Sequence, residues 1–319
     1  MRSLKCQVLA ISFALMSGAS AIAQEALFDA SDYGKANLSV RQTTGDAAAF
    51  IAASKGGAFE PISELSPNDW LATLAQPVGR VDVLLQDTQT GERGASTCTG
   101  ALIGGGMVLT NDHCMPRGGQ YEILEASLLL NYHTLDGVNA ARFAMEPVAL
   151  EQNPDLDYAI VRVDPAAETK FGHVALGPKP QGAGDARIVI HHPLGRPKVM
   201  SRFRCLVLND RSGPPVVPHR CDTLPGSSGS LLFDERGVAV ALHRAGGLDA
   251  SDPTSFNMAI DIGTILQYSA VLPQTPAAQM ASSVQAAPQD DPSTDASATV
   301  EQGNGALTTD QMNNILTSE

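Results

Sequence analysis

Ser228 lies in the stretch "CDTLPGSSGS", residues 221–230, where three serines and two glycines fill the last five positions. Small residues alone do not separate a polar loop from a frame that presents a nucleophile. A serine hydroxyl attacks a carbonyl only when a neighbouring base takes its proton and a third group orients that base. Two other stretches offer those parts. In "STCTGALIGGGMVLTNDHC", residues 96–114, Cys98 and Cys114 bracket a strand–turn–strand unit, and His113 sits beside the second cysteine. If joined, the two cysteines close a loop worth roughly 3 kcal/mol in the chain-entropy picture and fix the backbone next to His113. In "NPDLDYAIVRVD", Asp157 directly precedes an apolar run. A carboxylate that enters the interior with a strand needs hydrogen bonds or a charge partner, and an imidazole that becomes cationic during reaction is one. Asp155, two residues earlier, competes for the role; Asp157 is favoured because the apolar run starts immediately after it.

These residues need a scaffold. "VDVLLQD" alternates as a strand does, with Val81, Val83 and Leu85 on one face. "TGALI", "MVLT", "EILEASLLL", "FAMEPVAL", "YAIVRV", "RIVIH", "RFRCLVL", "SLLF", "VAVALH" and "NMAIDI" are further strand candidates, and "GTILQYSAVL" reads as a closing helix. Many short strands with frequent turn signals imply a sandwich or barrel. "TTGDAAAFIAASKGG" predicts a short helix ended by its glycines.

The ends differ in composition. Residues 1–23 carry Arg2 and Lys5, then an apolar stretch, then "AIA", as a secretory signal does. Its removal moves the net charge from −13 to −15. Residues 24–69 read as a propeptide or an N-terminal extension, 70–272 as the strand-rich unit, and 273–319 as a disordered acidic tail without Lys or Arg. Four cysteines remain after the signal, an even number that favours two disulfides in an exported protein, periplasmic or extracellular. An acidic chain of this kind is a poor partner for nucleic acid.

With residues in the order His113, Asp157, Ser228, spaced 44 and 71 apart, the chain resembles the trypsin/chymotrypsin-like serine peptidases. "CTGALIGGGMVLTNDHC" resembles that family's histidine segment, "DYAIV" its aspartate segment and "GSSGS" its nucleophile segment. The resemblance implies an all-β fold of two antiparallel six-stranded barrels, with the site in the cleft between them, and a C-terminal helix. It implies that Ser228 attacks, His113 is base and then acid, and Asp157 holds the tautomer. The N–H groups of Gly226 and Ser228 would bind the oxyanion. Cys205 and Cys221 would form a second bridge beside Cys98–Cys114. Ser227 stands where digestive members place an aspartate that pairs with a newly cut N-terminus. That ion pair is absent here, and the secreted bacterial glutamyl-endopeptidase-like branch is the nearer resemblance.

Specificity signals conflict. Asp222 falls where trypsin-like members bind Arg or Lys; Thr223 and His243 match the threonine and histidine that glutamyl endopeptidases use. Cleavage after acidic residues is weakly favoured, with Arg/Lys specificity through Asp222 as the alternative. A protease-like binding protein without turnover is the reading from another class. An α/β-hydrolase elbow is disfavoured because Ser230 replaces the second glycine and the triad order differs. His191 and His192 adjoin on a predicted strand and point to opposite faces, so no metal is expected there. No cofactor is expected. The partners expected are protein or peptide substrates, with no nucleic acid and no stable membrane insertion after signal removal, for a monomer.

Overall fold

In the computed structural model, Val81, Val83 and Leu85 are buried together in one apolar cluster, on the face their alternation predicts. The structure describes residues 26–272 apart from 39, 42–43, 57, 209–213, 250–251 and 253. The expected signal at 1–23 and the acidic tail at 273–319 lie outside the described residues. The chain begins with β1 (Ala26–Phe28), β2 (Val40–Arg41), α1 (Thr44–Lys55), β3 (Glu60–Pro61) and α2 (Trp70–Ala75). Then come β4 (Val78–Asp87), β5 (Arg93–Gly104), β6 (Met107–Thr110) and β7 (Tyr121–Leu130). β8 (Ala141–Met145), β9 (Glu151–Asn153), β10 (Tyr158–Arg162) and α3 (Ala166–Phe171) follow. The last part holds β11 (Ile188–His191), β12 (Val199–Ser201), β13 (Val216–His219) and β14 (Leu231–Phe233). β15 (Ala239–Ala245), β16 (Asn257–Asp261) and α4 (Ile262–Tyr268) complete it.

Two antiparallel sheets result. The first runs β8-β7-β4-β5-β6-β10-β9, and a bridge between Met145 and Val163 brings β8 back to the end of β10. Six strands thus form a ring, to which β9, β1 and β2 are added. The second runs β13-β16-β15-β14-β11-β12-β3, and residues 206 and 207 close it by bridging Ala186 and His219. Its strands are apolar on both faces because both faces are covered. Val189, Leu232, Ala241 and Ala259 point into the ring, whereas Ile190, Leu231, Phe233, Leu242 and Ile260 join the cluster shared with the first sheet. The ring interior is small, and the Cys205–Cys221 disulfide is part of it.

Some strand expectations change. "RFRCLVL" makes only bridges, because Arg204 adopts φ +53° and breaks the extended run; the ladder strand is β12, just before it. "FAMEPVAL" leaves its ladder after Met145, ahead of Pro147, which cannot donate to one. β13, β3 and β1 carry too few residues to show a period. The N-terminal residues are nevertheless built in: β1 pairs with β5 and β3 with β12.

A buried ion network ties these parts together. Arg80 and Asp82 are fully buried and joined through two hydrogen bonds of 2.8 and 2.9 Å. Arg80 also donates to the carbonyls of Lys35, Ala36 and Gly195, so it links the N-terminal segment and both sheets. Thr97 and Arg142 satisfy the rest of the Asp82 carboxylate. Asp82→Ala leaves the Arg80 charge unpaired in the interior and is expected to cost about 3–5 kcal/mol in urea unfolding. A loss under about 1 kcal/mol, the scale of an exposed pair, would show that the network is not a structural tie.

Candidate active site

Asp157 precedes β10 in a turn, with φ +51°, a left-handed conformation that aspartate tolerates better than most residues. Both carboxylate oxygens lie 2.9 Å from His113 Nδ1, and Oδ1 also accepts the His113 backbone N–H at 3.1 Å. Asn111 Nδ2 donates to the Asp157 carbonyl at 2.8 Å. Asp155 is exposed and takes no part. A carboxylate on Nδ1 keeps the proton there and leaves the lone pair on Nε2. His113 Nε2 is buried without a hydrogen-bond partner among the described residues, so no bond to Ser228 Oγ is formed in this arrangement. In enzymes without substrate such bonds are often long and tighten on binding.

The segments that carry His113 and Ser228 meet through β5. Thr99 N–H donates to the Ser228 carbonyl at 2.8 Å. Its neighbour Cys98 is bonded to Cys114, the residue after His113. The two sulfurs and a ring nitrogen of His113 lie within 4.8 Å of one another. With both thiols in the bridge, they are not metal ligands. Gly229 has φ +83°, and a side chain there would collide with Thr99 O and Thr110 Oγ1. Gly226 has φ +92°, and a Cβ would come within 2.8 Å of the His192 carbonyl. Among the described residues neither Gly226 N–H nor Ser228 N–H donates to a protein acceptor, which is what an oxyanion hole needs.

A second histidine–serine pair is nearby. His191 Nδ1 is 2.8 Å from Ser227 Oγ, and its Nε2 is 3.0 Å from Ser201 Oγ. Both His191 and Ser227 are fully buried, with both ring nitrogens engaged, so this imidazole cannot serve a substrate from solvent. Burial is the main cause, and any protonation of nearby His243 would oppose its own, so its pKa is lowered to about 3. His192 turns elsewhere, with Nδ1 2.9 Å from the Arg196 carbonyl.

Next to Ser228 is a pocket walled by Thr223, His243, Gly246, Gly247 and Asn257. Asp222, the other candidate for substrate contact, does not line it. Its carboxyl is pushed up by burial, with Arg204 pulling the other way. Asn257, which the sequence did not single out, organises the walls. Its Nδ2 donates to Cys221 O and Thr223 Oγ1, and its Oδ1 accepts Gly247 and Leu248 N–H. His219, also unforeseen, stands behind His243, with its Nε2 3.1 Å from His243 Nδ1. Cys221 N–H donates to His219 Nδ1, which leaves the His219 proton on Nε2. His243 Nδ1 is then an acceptor, and His243 carries its own proton on Nε2. Burial holds His243 near 3 and His219 well below the usual range, so both are neutral. Thr223 Oγ1 already accepts from Asn257, and its hydrogen is free to donate.

Residues 98–242 match the model of the trypsin-like peptidase domain. That stretch holds His113, Asp157 and Ser228, and it is similar to a trypsin-like peptidase domain. Solved structures are similar at low identity. The active form of the Rv3671c protease from M. tuberculosis is 18% identical at a TM-score of 0.46, covering 65% of this chain and 86% of that one. The HtrA-type protease AlgW with a decapeptide is 14% identical at 0.47, covering 64% and 68%. A serine endoprotease from Yersinia pestis is 13% identical at 0.45, covering 64% and 66%. No curated protein sequence matches the chain.

Proposed function

We propose that the chain is an exported serine endopeptidase that cleaves after acidic residues through an acyl-enzyme. In this reading Ser228 attacks the scissile carbonyl, His113 takes its proton and later gives it to the leaving amine, and Asp157 stabilises the imidazolium. Gly226 and Ser228 N–H would hold the oxyanion. The two disulfides support an oxidising destination.

The preference for an acidic side chain rests on the pocket beside Ser228. It presents two neutral donors, Thr223 O–H and His243 Nε2–H, and no carboxylate. A carboxylate entering there accepts both. A lysine or arginine would find no counter-charge, because Asp222 is outside the lining. Peptides that differ only at the residue before the scissile bond test this. Glutamyl peptides are expected to have the highest kcat/KM. Thr223→Val keeps the shape and removes one donor to a charged group, worth about 1.5–3 kcal/mol, or roughly 10–100-fold in kcat/KM on those peptides. Exclusive cleavage after Arg or Lys sinks the acidic reading. Mass-spectrometric mapping of a fluorophosphonate serine probe should place the adduct on Ser228; an adduct on Ser227 would refute the assignment.

A further inference from the structure

We propose that residues 59–62 brace the oxyanion loop through a relay of Ser201, His191 and Ser227, so that this N-terminal segment is a positioning element of the active enzyme. The inference rests on Ser228 being the nucleophile. Directions along the relay follow from its ends. Ser201 Oγ donates to the Asp222 carbonyl at 3.0 Å and therefore accepts from His191 Nε2–H. His191 Nδ1 then carries the lone pair and accepts the Ser227 O–H. Ser227 Oγ in turn accepts Leu224 N–H at 3.1 Å. Each hydrogen has one place, and no member is charged. The relay thus fixes the carbonyl of Asp222, the amide of Leu224 and the hydroxyl of Ser227. Gly226 and Ser228, whose N–H groups form the hole, lie on either side of Ser227.

The far end of the relay is held by the N-terminal part of the chain. β3 pairs with β12, Glu60 opposite Met200 and Pro61 opposite Val199, and β12 carries Ser201. Arg202 Nη2 donates to Glu60 at 2.8 Å, and Ile62 N–H donates to Lys198 O at 3.2 Å. Phe59 is buried, and its ring meets His191 edge to face at 5.3 Å. It closes off His191 and limits how the imidazole can turn. Ser227 occupies the position of the aspartate that locks this loop in digestive relatives. Here an interior histidine takes the place of the new N-terminus, and the segment before the barrels keeps that histidine in line.

The test uses the exported chain and three readings: hydrolysis of a glutamyl peptide, affinity for a peptide boronate, and phosphonate labelling of Ser228. A boronate forms a tetrahedral adduct and loads the oxyanion hole. Ser227→Ala is expected to lower kcat roughly 100-fold, the scale of one lost oxyanion donor, with KM changed less than about twofold. Boronate affinity should fall with kcat, and Ser227→Thr, which keeps the hydroxyl, should recover most of both. Phe59→Ala should move both readings in the same direction by about tenfold, short of the loss of a whole oxyanion donor. Phe59→Leu, which keeps the apolar cover, serves if the alanine variant does not fold. The brace is overturned if Ser227→Ala and the Phe59 variants keep wild-type kcat per titrated site and wild-type boronate affinity while Ser228 is labelled. If the wild-type protein neither hydrolyses peptides nor labels at Ser228, the peptidase reading fails, and the brace with it.

Discussion

Ser228→Ala is expected to lower kcat for peptide hydrolysis by about 10⁵–10⁶-fold while the protein stays folded. The fold does not lean on the Ser228 side chain. The loop is fixed through the Ser228 carbonyl, which accepts Thr99 N–H, and through Gly229 N–H, which donates to the His243 carbonyl at 3.0 Å. Alanine preserves both. In the proposed mechanism, what is lost is the hydroxyl whose proton His113 takes, and with it the acyl-enzyme. His113→Ala should cost about as much, and the double variant little more, because nucleophile and base act as a unit. Asp157→Asn should cost about 10⁴-fold, since an amide permits the wrong imidazole tautomer. Single-turnover kinetics with mass detection of the acyl adduct checks all four. Near-normal turnover by Ser228→Ala would place the nucleophile elsewhere.

Mild acid should unfold the protein well above the pH at which most carboxylates protonate. His191, His192, His219 and His243 are each buried, and burial is the leading cause that depresses all four pKa values. His191 and His243 are held near 3. In the unfolded chain the same imidazoles titrate near 6.5. Below that value the unfolded state binds protons that the folded state refuses, so stability falls as pH falls. The contribution is complete above about pH 6.5 and is lost progressively toward 3. His191 and His243 each give up about 2 kcal/mol by pH 5, about 4 together, and His192 and His219 act in the same direction, against a whole domain's stability of about 5–15 kcal/mol. Far-UV circular dichroism against pH should show unfolding between about pH 6.5 and 3, with a net uptake of protons. A flat signal down to pH 4 would mean that the imidazoles are hydrated in the folded state.

How far the sequence reveals this molecule depends on how local each signal is. The alternation of Val81, Val83 and Leu85 predicts β4, and cysteine bracketing and strand entry pick out His113 and Asp157. These are signals within a few residues of one another. Asn257 and His219 escaped because nothing nearby marks them. Asn257 sits in the strand "NMAIDI" and acts on Thr223 and Gly247 through tertiary contacts. His219 gains its meaning only opposite His243, 24 residues on. β3 is two residues long and shows no period, yet it extends the second sheet. The competition between Asp222 and Thr223 could not be decided from adjacency, since neighbours in an extended segment face opposite ways. The fold turns Thr223 to the pocket and leaves Asp222 outside its lining.

The bridge between Cys98 and Cys114 has a consequence for where the chemistry can take place. It joins the residue before Thr99, whose N–H holds the Ser228 carbonyl, to the residue after His113. Where glutathione and thioredoxin keep thiols reduced, that covalent tie does not persist. The reduced chain would spell the triad while lacking the link that sets its spacing. On the proposed reading of an exported peptidase, that tie forms only after the chain has left a reducing compartment.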